Sequence, residues 1–134
     1  DILDYEIQMD EEIYGYIIPK LTLQPLVENA LYHGIKNKRG KGKILITGKK
    51  QGDKIIFQVI DNGKGMTEEE LNSLRKKMAG TDTGDEAKGF GISNVNQRIK
   101  YYYGEEYGVF FESKENEGTN ATIIIAAKNI QLPS

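Results

Sequence analysis

Apolar and polar residues change period several times along the chain, and each change marks an element. Tyr5-Glu6-Ile7-Gln8-Met9 alternates loosely and predicts a short strand at a sheet edge. Pro19 introduces a helical stretch through His33, which Gly34 can end. Pro25 falls inside it and must either kink the helix or restart it as a first-turn proline. Leu23, Leu26, Val27, Ala30 and Leu31 gather on one side of that helix, as core residues would. Glu28, Asn29, Tyr32 and His33 gather on the other, which is unusually polar and aromatic for a plain solvent face.

Residues 43–50 and 54–60 predict two strands joined by a hairpin turn at Gln51-Gly52-Asp53. The second runs into the turn-rich Asp61-Asn62-Gly63-Lys64-Gly65-Met66. Thr67 then caps a helix carrying Leu71, Leu74 and Met78, and Glu70 completes a capping box. Residues 79–88 are small, polar and Gly-containing, without an apolar period; they predict a mobile loop that acts as a lid. Gly89-Phe90-Gly91 leads into a helix with Ile92, Val95 and Ile99 on one face, closed by Gly104. Strands over 107–113 and 119–127 follow, joined by Glu115-Asn116-Glu117-Gly118. Hairpins mixed with helices predict one α+β domain over residues 1–134: a two-layer α/β sandwich whose mixed, mostly antiparallel sheet carries helices on one face.

Composition narrows the function. A chain of 134 residues can bury a core without disulfides. With Cys 0, thiolate metal sites and cysteine nucleophiles are excluded. A net charge of −2 and a pI of about 5.5 argue against a general nucleic-acid binder. The basic run Lys36-Asn37-Lys38-Arg39-Gly40-Lys41-Gly42-Lys43 is read as a solvated loop, with phosphate or nucleic-acid binding the minor alternative. No apolar run nears the roughly 18 residues of a membrane span, so no membrane contact is expected of this stretch. The opening Asp1-Ile2-Leu3-Asp4, without Met, is expected of a fragment of a longer protein.

Candidate chemistry lies in the glycine-bearing loops. Gly63 and Gly65 follow a strand, Gly89 and Gly91 open a helix, and Gly118 precedes the last strand. Glycine lets backbone approach a ligand closely, and a glycine pair opening a helix aims free N–H groups and the positive helix end at anions. Singly, each is an ordinary turn. In order, however, Leu26-Val27-Glu28-Asn29-Ala30-Leu31-Tyr32-His33-Gly34, Asp61-Asn62-Gly63-Lys64-Gly65-Met66, Gly89-Phe90-Gly91-Ile92-Ser93-Asn94-Val95 and Gly118-Thr119 resemble the boxes of the GHKL ATPase superfamily, whose ATP-binding fold is of the Bergerat type. The stretch from Pro19 to Ala30 with His33-Gly34, and Asn94-Val95-Asn96-Gln97-Arg98-Ile99 through Tyr103-Gly104, are similar to LytS/YesM-like sensor histidine kinases.

That resemblance implies ATP and Mg²⁺ as cofactors and a role for each matching position. Asn29 would coordinate Mg²⁺ through its amide oxygen, and Asp61 would accept a hydrogen bond from the adenine amino group. Gly63 and Gly65 would let the adenine pocket close against backbone, and Thr119 would line it. Gly89 and Gly91 would bring helix N–H groups to the phosphates. Lys88 would meet phosphate charge, and His33, one turn after Asn29, would lie beside the base or sugar. Glu28 is first a solvated acid beside Asn29, with an indirect role near Mg²⁺ as the alternative. Pro25 stands where hydrolytic relatives carry a water-activating Glu, and Tyr32 where many kinases have Lys; the first favours kinase over ATPase.

The resemblance further implies γ-phosphate transfer to a histidine on a separate dimerisation segment, a homodimeric parent and a response-regulator partner. It implies a cytoplasmic domain of an integral membrane protein of the bacterial cell membrane. Two other readings are a nucleotide-gated interaction module and a GHKL ATPase without phosphotransfer.

Overall fold

In a computed structural model, the structure describes residues 3–9, 11, 24–31, 42–79 and 90–127. The elements are β1 (Leu3–Met9), α1 (Gln24–Asn29), β2 (Gly42–Gln51), β3 (Lys54–Asp61), α2 (Glu68–Met78), α3 (Phe90–Tyr103), β4 (Gly108–Lys114) and β5 (Gly118–Ala126). They follow the order expected from the hydrophobic pattern. Pro25 lies within α1, and the residues just before Gln24 lie outside the described ones. Leu26 and Ala30 are buried while Glu28 is exposed, as the helical wheel requires.

The sheet has the order β1-β2-β3-β5-β4. β1 pairs with β2 in parallel, across a connection that contains α1; every other pairing is antiparallel. The register aligns side chains in rows across one face. Ile46, Val59, Ala121 and Phe111 form one row, and Phe57, Ile123 and Val109 another. These residues are buried, whereas their outward neighbours Ile56, Gln58, Thr122 and Ile124 are only half-buried. The alternation follows from the period-2 pleat. α2 and α3 cover the inner face: Leu71 and Met78 from one, Ile92, Val95, Ile99 and Tyr103 from the other, all buried. Spacings of three and four along α3 place its apolar residues on one stripe. At the end of α3, Tyr103 is buried and Tyr102 packs half-buried against the core, while Tyr101 is 81% exposed.

Helix ends obey local chemistry. Thr67 Oγ1 accepts from the Glu70 N–H at 3.1 Å, and Glu70 Oε1 accepts from the Thr67 N–H at 2.9 Å. The capping box is therefore complete. Gly104, at φ +122°, ends α3, and its N–H returns to the Lys100 carbonyl at 2.9 Å.

Ile123, fully buried in a central strand, should cost about 2–5 kcal/mol when changed to Ala. Thr67→Ala should cost about 1 kcal/mol. Chemical denaturation of both variants measures the difference; equal costs would contradict this core.

Candidate functional site

The site is built where β3 ends. Asp61, its last residue, lies on the inner face, directly across from Thr119 on β5. Both are buried, at 5% and 7% exposure, in a face otherwise apolar. Gly63 N–H donates to Asp61 Oδ1 at 2.8 Å, an aspartate turn that bends the chain away from the sheet. Asn62 fastens that bend to β2: its Oδ1 accepts from the Lys43 N–H at 2.8 Å, and its own N–H donates to the Lys43 carbonyl at 3.3 Å.

Burial pushes the Asp61 carboxyl above its ordinary value; the N–H groups of Gly63 and Thr119 pull the other way. The partners that favour its ionised form are thus backbone donors. The single geometric bond, from the Gly63 N–H, leaves carboxylate lone pairs free for a further donor. A neutral amino group on a flat, apolar ligand suits that position, and the purine amine of ATP is such a group.

The β4–β5 hairpin closes over the loop that follows Asp61. The Asn116 N–H donates to the Lys64 carbonyl at 2.5 Å, and the Met66 N–H to Ser113 Oγ at 2.9 Å. Gly65 and Gly118 make this approach feasible. They adopt φ +69° and +117°, and a Cβ on either would overlap a backbone carbonyl oxygen, Lys114 for one and Asp61 for the other. The expectation that these glycines admit the ligand is thereby refined: Gly65 and Gly118 admit the chain's own backbone, and so shape the wall a ligand would meet.

The two described long helices present opposite electrostatics at their N-termini. α2 begins with Glu68, Glu69 and Glu70, which already complement its positive end. The described first turn of α3, where Gly91 lies, carries no acidic residue. α1 packs against α3, and Asn29 is half-buried at the end of α1. No group of three or more His, Cys, Asp or Glu among the described residues could hold a metal ion. His33, Lys88 and Gly89, and the lid expected at 79–88 beyond Ala79, lie outside the described residues. So does the basic run up to residue 41.

Two site-shaping residues escaped the sequence reading. Ser113 bridges Met66 and Thr119, a position that hairpin pairing across the turn at 115–117 would have revealed. Asn96, 5% exposed, donates through Nδ2 to the Met78 carbonyl at 3.2 Å and accepts from the Val109 N–H at 2.9 Å. It ties the end of α2 to α3 and β4. Its signal was a polar residue on the apolar stripe of α3, masked by the neighbouring asparagine motif.

Comparison with known proteins agrees with this geometry. Residues 19–129 match the family described as histidine kinase-, DNA gyrase B-, and HSP90-like ATPase. The sensor histidine kinase YesM of Bacillus subtilis is 35% identical over 95% of the chain, which spans 20% of that protein. The sensor protein LytS of Bacillus anthracis is 33% identical over 92%, spanning 21% of it. The chain thus covers about a fifth of these relatives. The catalytic domain of histidine kinase ThkA superposes with a TM-score of 0.63 at 19% identity, covering 94% of this chain and 79% of that one, which shows the fold. The chain belongs to the histidine kinase-, DNA gyrase B- and HSP90-like ATPase family, as an ATP-binding domain of the kind that sensor histidine kinases carry.

Proposed function

We propose that this chain is the catalytic domain of a LytS/YesM-like sensor histidine kinase. It holds Mg²⁺-ATP and offers the γ-phosphate to a histidine on a separate dimerisation segment, from which the phosphoryl group passes to a response regulator. The parent is a homodimer anchored in the bacterial membrane, with this domain on the cytoplasmic side. Among the described residues no helix is long and apolar enough to cross a membrane.

The observation that carries the reading is Asp61, a buried carboxylate with free lone pairs and backbone donors as partners. In this assignment Asp61 accepts from the adenine amine and Thr119 lines the same wall. Gly63, Gly65 and Gly118 set the wall's backbone. Gly89 and Gly91 open α3 toward the phosphates, with Lys88 adding positive charge. Asn29 supplies one oxygen to Mg²⁺, Glu28 acts there only indirectly, and His33 borders the base or sugar. Bound Mg²⁺ contributes charge neutralisation of the phosphates. The chain's own part is positioning and fixed dipoles, for which neither a nucleophile nor a general base is needed on this domain. Pro25 cannot activate water, which directs the chemistry away from hydrolysis.

Asp61→Asn should weaken ATP binding at least about tenfold, the range for losing a charge-assisted bond, measured by titration calorimetry. Equal affinities would sink the adenine assignment.

The stability of the same pair depends on pH with a fixed sign. The Asp61 carboxyl is raised in the fold, so the folded chain keeps a proton that the unfolded chain has lost. That stabilisation is complete below the ordinary value of 3.8 and is lost as pH rises through the folded value. The melting temperature of the wild type should therefore fall relative to Asp61→Asn as pH rises from strongly acidic toward neutral. ATP affinity should move oppositely, because only the carboxylate accepts from the amine. A flat difference in melting temperature across that range would show that burial does not perturb this group.

Asn29→Ala should remove the dependence of ATP affinity on Mg²⁺, read by comparing Mg²⁺ with EDTA. With γ-labelled ATP, this chain should acquire no acid-labile phosphate and release phosphate slowly. A dimerisation helix of a parent kinase, added in trans, should become labelled on its histidine. Stoichiometric label on His33, or brisk phosphate release, would overturn this assignment.

A further inference from the structure

Ser113 Oγ has three polar neighbours inside the hairpin. The Met66 N–H lies at 2.9 Å, the Gly118 carbonyl at 2.9 Å and Thr119 Oγ1 at 2.8 Å. A serine hydroxyl has one proton and two lone pairs. Met66 can only donate to it and the Gly118 carbonyl can only accept from it. Its proton is then used on Gly118 and one lone pair on Met66. For the third contact to be a bond, Thr119 must be the donor, into the remaining lone pair. All three contacts are bonds in that one arrangement only.

The consequence falls on Thr119. Its side chain shares the inner face with Asp61, directly across the β3–β5 ladder. With its hydroxyl proton turned toward Ser113, Thr119 has only lone pairs left to offer. The wall made by Asp61 and Thr119 then consists of acceptors alone. Such a wall takes an amino group, which has two protons to give, and repels a carbonyl oxygen.

We propose that Ser113 is a specificity-determining residue: it draws the Thr119 proton out of the pocket, so that the wall beside Asp61 selects a 6-amino purine over a 6-oxo purine. The inference rests on the reading of Asp61 and Thr119 as the base-facing wall. Ser113 acts through Thr119 and touches no ligand itself.

The test compares ATP with ITP, which carries an oxygen in place of the amine, by titration calorimetry on this chain. The wild type should prefer ATP. In Ser113→Ala the Thr119 hydroxyl is released and can donate to the oxo group, so the preference should shrink by about fivefold, the effect of one ordinary hydrogen bond. Ser113→Thr keeps the hydroxyl and should keep the preference. Should Ser113→Ala fail to fold, Ser113→Cys replaces the hydroxyl by a weak donor and acceptor of similar shape, and should shrink the preference likewise. A nucleotide-free readout runs in parallel: the Thr119 hydroxyl proton should be protected from exchange by NMR in the wild type and lose that protection in Ser113→Ala or Ser113→Cys. Wild type that binds neither nucleotide, or both equally, would defeat the reading of the wall itself. Wild-type preference for ATP that persists unchanged in a folded Ser113→Ala or Ser113→Cys variant would overturn the role of Ser113 alone.

Discussion

The close approach of two backbone segments organises this end of the molecule. The loop leaving β3 and the turn joining β4 to β5 touch without side chains between them, because Gly65 and Gly118 occupy conformations and spaces closed to other residues. That contact fixes where Asp61 stands relative to Thr119. It gives the Met66 and Asn116 N–H groups partners they would otherwise seek in water. Asn62 and Asn96 extend the same logic outward, each satisfying backbone groups of an element it does not belong to. Side chains that read as solvated polar residues in the sequence thus serve as joints.

Buried charge without a cation partner is unfavourable for folding alone. Asp61 sits in a face whose other rows are aliphatic or aromatic, where a hydrophobic residue would pack as well. On the proposed reading, a carboxylate there sets a functional demand against a structural preference, as binding sites commonly do. The same contrast separates α2 from α3. α2 fills its positive end with its own Glu68, Glu69 and Glu70, whereas the first turn of α3 carries no acid among the described residues.

Much of this was legible in the sequence. Period-2 alternation located the strands because each buries one face. Thr67 and Glu70 announced α2 because capping chemistry is local. The position of Pro25 leaves two outcomes open, a kink or a restart, because the residues just before Gln24 lie outside the described ones. Asp61 was found from its place at a strand end before spaced glycines. Its partners were not, because the Asp61–Thr119 and Ser113–Met66 contacts depend on strand order rather than on strand identity. Nothing local in the chain states that β5 inserts between β3 and β4. Gly65 and Gly118 were likewise read as serving a ligand, since a turn glycine looks the same whether it faces a ligand or another stretch of the same chain.

The strand order also sets a schedule for biogenesis. β3 finds its inner neighbour only in β5, the last strand of the sequence order, and Asp61 and Thr119 are 119 − 61 = 58 positions apart. At synthesis rates of about 5–20 residues per second, β3 leaves the ribosome roughly 3–12 seconds before its partner. During that interval the edge of β3 that β5 will occupy is open, with its backbone N–H and C=O groups unpaired on that side. Long-range pairing of this kind is slow to form and exposed to aggregation. A nascent or truncated chain lacking β5 would have no strand opposite Asp61, so on the proposed reading the base-facing wall arrives only with β5.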